Sequence, residues 1–197
     1  NMPNHCYNIL HLECFENARL LDEFVQKHKT EDSDLSFHMS VPCPENSDND
    51  WRTDNWGTKW EAIDVDIRKT PEIVEYTFAT AWSPPLQWMR SVSNKYPEIK
   101  FTIEYYECGM DFCGKEICVN GDTIKNETMA LSDYNWGQVK KDVLHKIIEE
   151  ETQNIKITND NILELVDSIM ESYADKDTYY ENIEMKIHEI LEKKLST

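Results

Sequence analysis

Glycine is scarce, with five in 197 residues and none in a glycine-rich loop. A phosphate-cradling loop or a dinucleotide fingerprint needs several in one short stretch, so both are excluded. There is also no G-x-S-x-G nucleophile elbow and no C-x-x-C pair of the kind that opens most zinc sites. No apolar run approaches the roughly 18 residues of a membrane span, so no membrane association is expected. The first residues carry neither a basic nor an apolar leader segment, so no signal peptide is expected. Asn1 stands ahead of Met2-Pro3, and Met2 reads as the natural start. Without secretion the six cysteines are expected to be free thiols in a reducing compartment. That setting is cytoplasmic, or the host cytoplasm for a viral protein.

Positive charge is the other shortage. Twenty Lys and Arg face 38 Asp and Glu, for a net charge of -18. No basic cluster is longer than Arg68-Lys69 or Lys193-Lys194, whereas nucleic-acid backbones are held by clustered cations. Direct nucleic-acid binding is therefore not expected. An acidic surface gives solubility, and it can attract a basic protein or occupy a surface that normally holds nucleic acid. The acidity is spread over the chain rather than gathered in a tail. The hydrophobic fraction of 40% is enough for a core.

What the chain does have is tryptophan in a short space. Trp51, Trp56 and Trp60 are three of its six. They surround Asn55-Trp56-Gly57-Thr58-Lys59-Trp60, and Trp82 lies in a second run, Phe78-Ala79-Thr80-Ala81-Trp82-Ser83-Pro84-Pro85. Side chains this large are costly to leave in water, so such a stretch either folds onto a core or holds something.

Periodicity places the elements around these runs. Residues 5–14 alternate as a strand, with Cys6, Asn8, Leu10, Leu12 and Cys14 on one face. Residues 16–29 have the 3.6 period of a helix. Leu35–Val41 reads as extended, and Glu45–Asp54 as a polar loop of a length that is often functional. Residues 61–69 and 73–82 form an antiparallel hairpin, with Trp82 on the face of Val74, Tyr76, Phe78 and Thr80. Ser83 then reads as the cap of a helix with Leu86, Met89, Val92 and Tyr96 inward. Residues 100–106 form a strand. Residues 111–119 and 122–131 form a hairpin turned by Asn120-Gly121. Three helices follow at about 138–152, 158–173 and 178–195, the last opened by a Thr178/Glu181 capping box.

The order β-α-β-β-α-β predicts an α+β, ferredoxin-like antiparallel sheet, extended by a β-hairpin and followed by C-terminal helices. The expected domains are residues 2–134 and a helical region, 135–197.

Three segments carry a resemblance. They are Met2-Pro3-Asn4-His5-Cys6-Tyr7-Asn8, then Trp51 with Asn55 to Ala62, then Phe78 to Pro85, followed by Tyr106-Glu107. Together they resemble the YubB-type ferredoxin-like family of plasmids, phages, viruses and some eukaryotic pathogens. Its members open M-P-N-x-C-x-N and carry N-W-G-T-K-W and F-x-T-A-W-S-P-P. The resemblance covers about residues 2–131 and implies a fold and a setting, not a reaction.

Trp60 enters one hairpin strand and Trp82 leaves the other, so both fall at one end of the sheet. Asn55, Trp56, Lys59, Trp60, Trp82 and Ser83 are expected to converge there, with Asn8 and Tyr106 nearby. One reading is a structural corner; the other is a Trp-lined pocket with Lys59 and a helix N-terminus for an anion. Cys108, Cys113 and Cys118 lack the short gap of a zinc ligand pair, and His11-Leu12-Glu13-Cys14, beside His5 and Cys6, has the gap but lies on a strand where positions three apart face opposite sides, so no metal or cofactor is expected; Asp64 with Asp66 reads as a solvated face. No catalytic residue is assigned. The leading functional expectation is a non-enzymatic accessory protein of a virus, phage or mobile element. It would bind a host or viral protein, as an acidic inhibitor or nucleic-acid mimic. The alternatives are a small-molecule or nucleotide-binding enzyme, using Lys59, Asn55 and Ser83, and a structural component of a larger assembly. The apolar stripe Ile183, Ile187, Ile190, Leu191 and Leu195 serves either core packing or contact with a partner or a second copy.

Overall fold

The computed structural model describes residues 4–138, 141–173 and 180–195. The chain divides into two compact units, Asn1–Leu131 and Ser132–Thr197.

The first unit is built on a six-stranded antiparallel sheet of order β2-β3-β1-β4-β5-β6. The strands are β1 (His5–Glu13), β2 (Ile63–Lys69), β3 (Ile73–Ala81), β4 (Lys100–Glu107), β5 (Phe112–Val119) and β6 (Asp122–Met129). The first four strands have the ferredoxin-like order, and β5 and β6 lengthen the sheet beside β4. Helices α1 (Ala18–His28) and α3 (Leu86–Lys95) supply the inner layer. Leu21, Phe24, Val25 and His28 of α1 are buried, as are Trp88, Met89, Val92 and Ser93 of α3. They join one core with Leu10, Leu12, Val74, Tyr76, Phe78, Phe101 and Ile103. Strand β1 is central, and its alternation leaves Tyr7 and Ile9 on the open outer face.

Several local expectations need correction. Glu45–Asp54 is not a loop throughout: α2 spans Asn49–Trp56 and starts where the Asp48 carboxylate accepts from Trp51 N. An Asp cap outweighs the weak helix propensity of an Asn- and Asp-rich segment. Leu35–Val41 is not extended either, because Phe37–Met39 forms a 3-10 turn. The Glu61 carboxylate holds that turn by accepting from Phe37 N (2.7 Å) and His38 N (2.8 Å).

The alternation of β2 is interrupted by a bulge between Ile63 and Asp66, with Asp64 at φ 52°. Trp82 does not continue the inward face of β3; it lies beyond the strand at φ 70°. Ser83 is not the cap of α3, because Pro85 holds that position. Trp88, outside the stripe read from the sequence, is fully buried beside Phe37, with ring centroids 4.8 Å apart. The Asn120-Gly121 turn has both residues at positive φ, 52° and 80°, as a two-residue hairpin turn requires.

The second unit holds α5 (Lys141–Thr152), α6 (Ile162–Tyr173) and α7 (Tyr180–Leu195). Helix α4 (Leu131–Gln138) comes before α5, and residues 139–140, between them, lie outside the described residues. Helix α6 starts at Ile162 rather than 158, because Thr158 and Asn161 close a turn ahead of it. Leu144, Ile148, Ile162, Leu165, Val166, Ile169, Tyr173, Ile183, Ile187 and Leu191 form a core of their own. Val143, expected to face inward, is 48% exposed. Thr178 and the Glu181 side chain, expected to form a capping box, lie outside the described residues, as does Val139. No helix among the described residues is long and apolar enough to cross a membrane.

Candidate functional site

The three segments that carry the family likeness meet at one end of the sheet. His5 pairs with Ala81, Tyr7 with Ala79 and with Tyr106, and Ile63 with Ala79. The start of β1, the end of β3, the start of β2 and the end of β4 therefore share that end. Trp60 enters it and Trp82 leaves it.

Most of the polar groups there are spent on one another. Asn8 is buried, and its amide donates to Cys6 O (3.1 Å) and to Thr80 Oγ1 (3.0 Å). The Thr80 hydroxyl in turn donates to Ser83 O at 2.7 Å. Ser83 Oγ donates to Gly57 O at 2.6 Å, and Thr58 Oγ1 to Ala81 O at 2.9 Å. Trp82 N donates to Asn4 O at 2.9 Å. Buried polar groups are costly unless bonded, so this network is a lock joining residues 4–8, 57–58 and 80–83. Asn55 belongs to the helix end: its amide donates to Trp51 O at 2.8 Å.

Trp56 is a core residue, 2% exposed. Its indole Nε1 donates to Val41 O at 2.9 Å, and its ring packs edge-on against Phe37 and Trp51. Gly57 ends α2 at φ 87°, where a Cβ would collide with Gln87 Oε1 and lie 3.1 Å from Leu86 N and Pro84 O. Only glycine takes that conformation without strain.

What remains exposed is a set of aromatic rings and one cation. Trp60 is 40% exposed and Trp82 36% exposed. Lys59 Nζ sits 5.5 Å from the centre of the Trp82 ring. Trp82 has the backbone of a tight three-residue turn, with Ser83 N donating to Ala81 O. A bulky residue at positive φ is an outlier that its surroundings must hold in place. On the outer face Tyr7 (45% exposed) stacks on Tyr106 (42% exposed), with centroids 5.2 Å apart. His5 meets Tyr7 edge-on at 6.3 Å.

The eight residues singled out from the sequence thus separate. Asn8 and Trp56 are buried, and Asn55 and Ser83 are structural donors. Lys59, Trp60, Trp82 and Tyr106 keep exposed surface. Ser83 and Lys59 do not form an anion cradle, because one bonds Gly57 and the other covers an indole. Tyr7 was missed by sequence reasoning: period two placed it opposite Asn8, but its pairing with Tyr106 depends on the β1–β4 register.

Most charges on the outer face stand in pairs of opposite sign. Glu13 meets Lys100, Glu104 meets Lys115, Glu127 meets Lys125, and Glu75 meets His11, at 2.6–3.6 Å. The face is close to neutral in a chain of net charge -18.

A second reactive group was also missed. Cys43 Sγ accepts from Arg52 Nε at 3.5 Å and lies 2.7 Å from Ser47 Oγ. Desolvation raises this thiol, but the hydrogen bonds it shares with Arg52 and Ser47 and the Arg52 charge outweigh it, leaving the group below the ordinary thiol range. The other extreme is Cys6, which burial pushes up to about 12. All six cysteines are free thiols.

Fold and site together define an α+β, ferredoxin-like protein with a locked corner and an open aromatic sheet end. The chain belongs to the family described as "Ferredoxin-like domain in Api92-like protein", whose model matches residues 55–157. Among solved structures it is similar to protein Api92 from Yersinia pseudotuberculosis, at 14% identity and a TM-score of 0.41. The match covers 48% of this chain and 39% of that chain. No curated protein matches.

Proposed function

We propose that the chain is a YubB-type protein of a virus, phage or other mobile element, and that it acts without catalysis by binding a host or viral protein. The observation that carries this reading is the exposed aromatic end of the sheet, formed by Tyr7, Tyr106, Trp60 and Trp82 at 36–45% exposure. Tyrosine and tryptophan supply much of the affinity in protein interfaces. Tyr7 and Tyr106 stand on the sheet, and Trp60 and Trp82 flank its end beside a bonded corner, which lowers the ordering cost of binding. The paired charges of the outer face suit an apolar patch on the partner. The net charge of -18 acts at longer range, steering basic partners toward the chain in the manner of an acidic inhibitor or nucleic-acid mimic.

The test is affinity capture from host lysate with the parent chain, Tyr7→Ser/Tyr106→Ser and Trp60→Ser, each first shown to keep the parent's melting behaviour. A protein retained by the parent and lost from the variants is the expected result. Identical capture by all three, or capture by none, refutes the reading.

A further inference from the structure

Two of the largest apolar side chains of the second unit lie outside its core. Leu163 is 67% exposed and Met185 62% exposed. A single exposed leucine is ordinary, but these two share a groove of about 460 Å³. Leu163 and Val166 line it from α6, and Glu184, Met185, His188 and Glu189 line it from α7. Leu163 and Val166 are three apart, and Met185, His188 and Glu189 follow at three and four. Those spacings make ridges along two packed helices, and a groove between such ridges fits the side chains of another helix.

The lining also has a sign. It contains two carboxylates, Glu184 and Glu189, and no lysine or arginine. Lys186 bonds Glu189 at 3.3 Å, and His188 bonds Glu192 at 3.4 Å. Glu184 is thus left to meet an incoming cation, inside a chain of net charge -18. A second copy would bring the same carboxylates against themselves and the same net charge, so self-association is disfavoured. Methionine on the groove wall adapts to varied apolar side chains, as in known helix-binding surfaces.

We propose that this groove is a docking site for a basic amphipathic helix of a protein partner. Its apolar stripe rests on Leu163 and Met185, over a floor that the buried Val166 helps to form, and its Lys or Arg residues meet Glu184. The groove is built from residues of the second unit and the sheet end from residues of the first, so either reading can fail without the other.

The experiment titrates the full chain with a synthetic Leu/Lys helix of about 18 residues, or five turns. Leu is placed at i, i+3, i+4 and i+7. The control peptide has the same composition, shuffled to destroy the stripe. At about 0.15 M salt, where long-range attraction is screened, the striped peptide is expected to bind at least about tenfold tighter than the control, one decade in Kd. Leu163→Asn/Met185→Gln should lose that advantage with helicity and melting unchanged, since both side chains are exposed. Glu184→Gln/Glu189→Gln should weaken binding and flatten its salt dependence. Equal binding of the two peptides, or full binding by the Asn/Gln variant, overturns the proposal. So does a dimer of the free chain, seen by sedimentation, that the same variant dissolves.

Discussion

Replacing Gly57 by alanine tests whether the Asn-Trp-Gly-Thr-Lys-Trp run is a structural lock. The residue sits at φ 87°, where an L-residue costs about 1–2 kcal/mol over glycine. The new Cβ meets three atoms of unequal stiffness. Gln87 Oε1 is the far end of an exposed side chain and swings away at little cost. Leu86 N and Pro84 O, each 3.1 Å away, belong to the backbone that leads into α3 and must shift by a few tenths of an ångström. Lower unfolded-chain entropy returns about 0.4–1 kcal/mol. The net expectation for Gly57→Ala is a loss of about 1–2 kcal/mol, a fall in Tm of roughly 4–8 °C for a unit of this size. Gly137, in α4, is the internal control: a Cβ there meets nothing within 4 Å. Gly137→Ala should be neutral or stabilise by up to about 1 kcal/mol, as for any exposed helical glycine. Thermal melts followed by circular dichroism, with urea midpoints at unchanged m-value, measure both. A Gly57→Ala protein as stable as the parent would refute the claim that this corner depends on a left-handed turn.

Two further predictions follow from buried and perturbed groups. His28 is fully buried, stacks 4.0 Å from Phe24 and is pushed down to about 4 by desolvation. Its Nδ1 faces Phe24 O at 2.8 Å, so Nδ1 carries the proton and Nε2 accepts from Ser40. The unfolded chain binds its proton near pH 6.5 and the folded one only near 4. This group's contribution is therefore complete above pH 6.5 and falls away by about 3 kcal/mol as pH drops to 4. Urea stability of the parent minus that of His28→Gln should trace this fall, and a flat difference would refute it. Cys43 should alkylate with iodoacetamide at a pH midpoint below that of an ordinary thiol, and Arg52→Ala should move the midpoint upward. Mass mapping of the alkylated sites at intervals measures this; a midpoint unaffected by Arg52→Ala refutes the pairing.

The strands and the fold class were legible because period-two alternation is strong wherever one face is buried. Cys6, Asn8, Leu10 and Leu12 announced β1, and Asn120-Gly121 announced its hairpin. Elements held by a single side chain left no periodic trace. Helix α2 hangs on Asp48 as a cap, and the 3-10 turn hangs on Glu61, 23–25 residues away in sequence by the positions it bonds. Trp88 escaped notice because the stripe through Leu86, Met89 and Val92 was counted without the flank that faces Phe37. For the site, the sequence located the convergence at one sheet end but not the direction of each side chain. Trp56 and Trp60 are four residues apart and were indistinguishable as aromatics. One follows a helical turn into the core, and the other sits past Gly57, where the chain has reversed and its ring remains 40% exposed.

That difference separates folding from binding within one run of residues. In Asn55 to Trp60 and Phe78 to Pro85, the hydroxyls, the Asn55 amide and the Gly57 carbonyl are used within the chain. A position whose bonds close inside the molecule reports on stability when changed, and its loss of function would be indirect. Lys59, Trp60 and Trp82, with Tyr7 and Tyr106, carry their side chains to the surface, and two of the rings are held by stacking on each other. Conservative substitutions of these five should cost at most about 0.5–1.5 kcal/mol, the worth of a stacked aromatic pair such as Tyr7 and Tyr106. Thr58, Thr80 and Ser83 should lose stability through hydrogen bonding when changed, because each hydroxyl donates to a backbone carbonyl inside the corner, a hydrogen bond worth about 0.5–1.5 kcal/mol. A likeness between sequences in these runs therefore contains two kinds of constraint, and only the exposed rings are left free for contacts outside the chain.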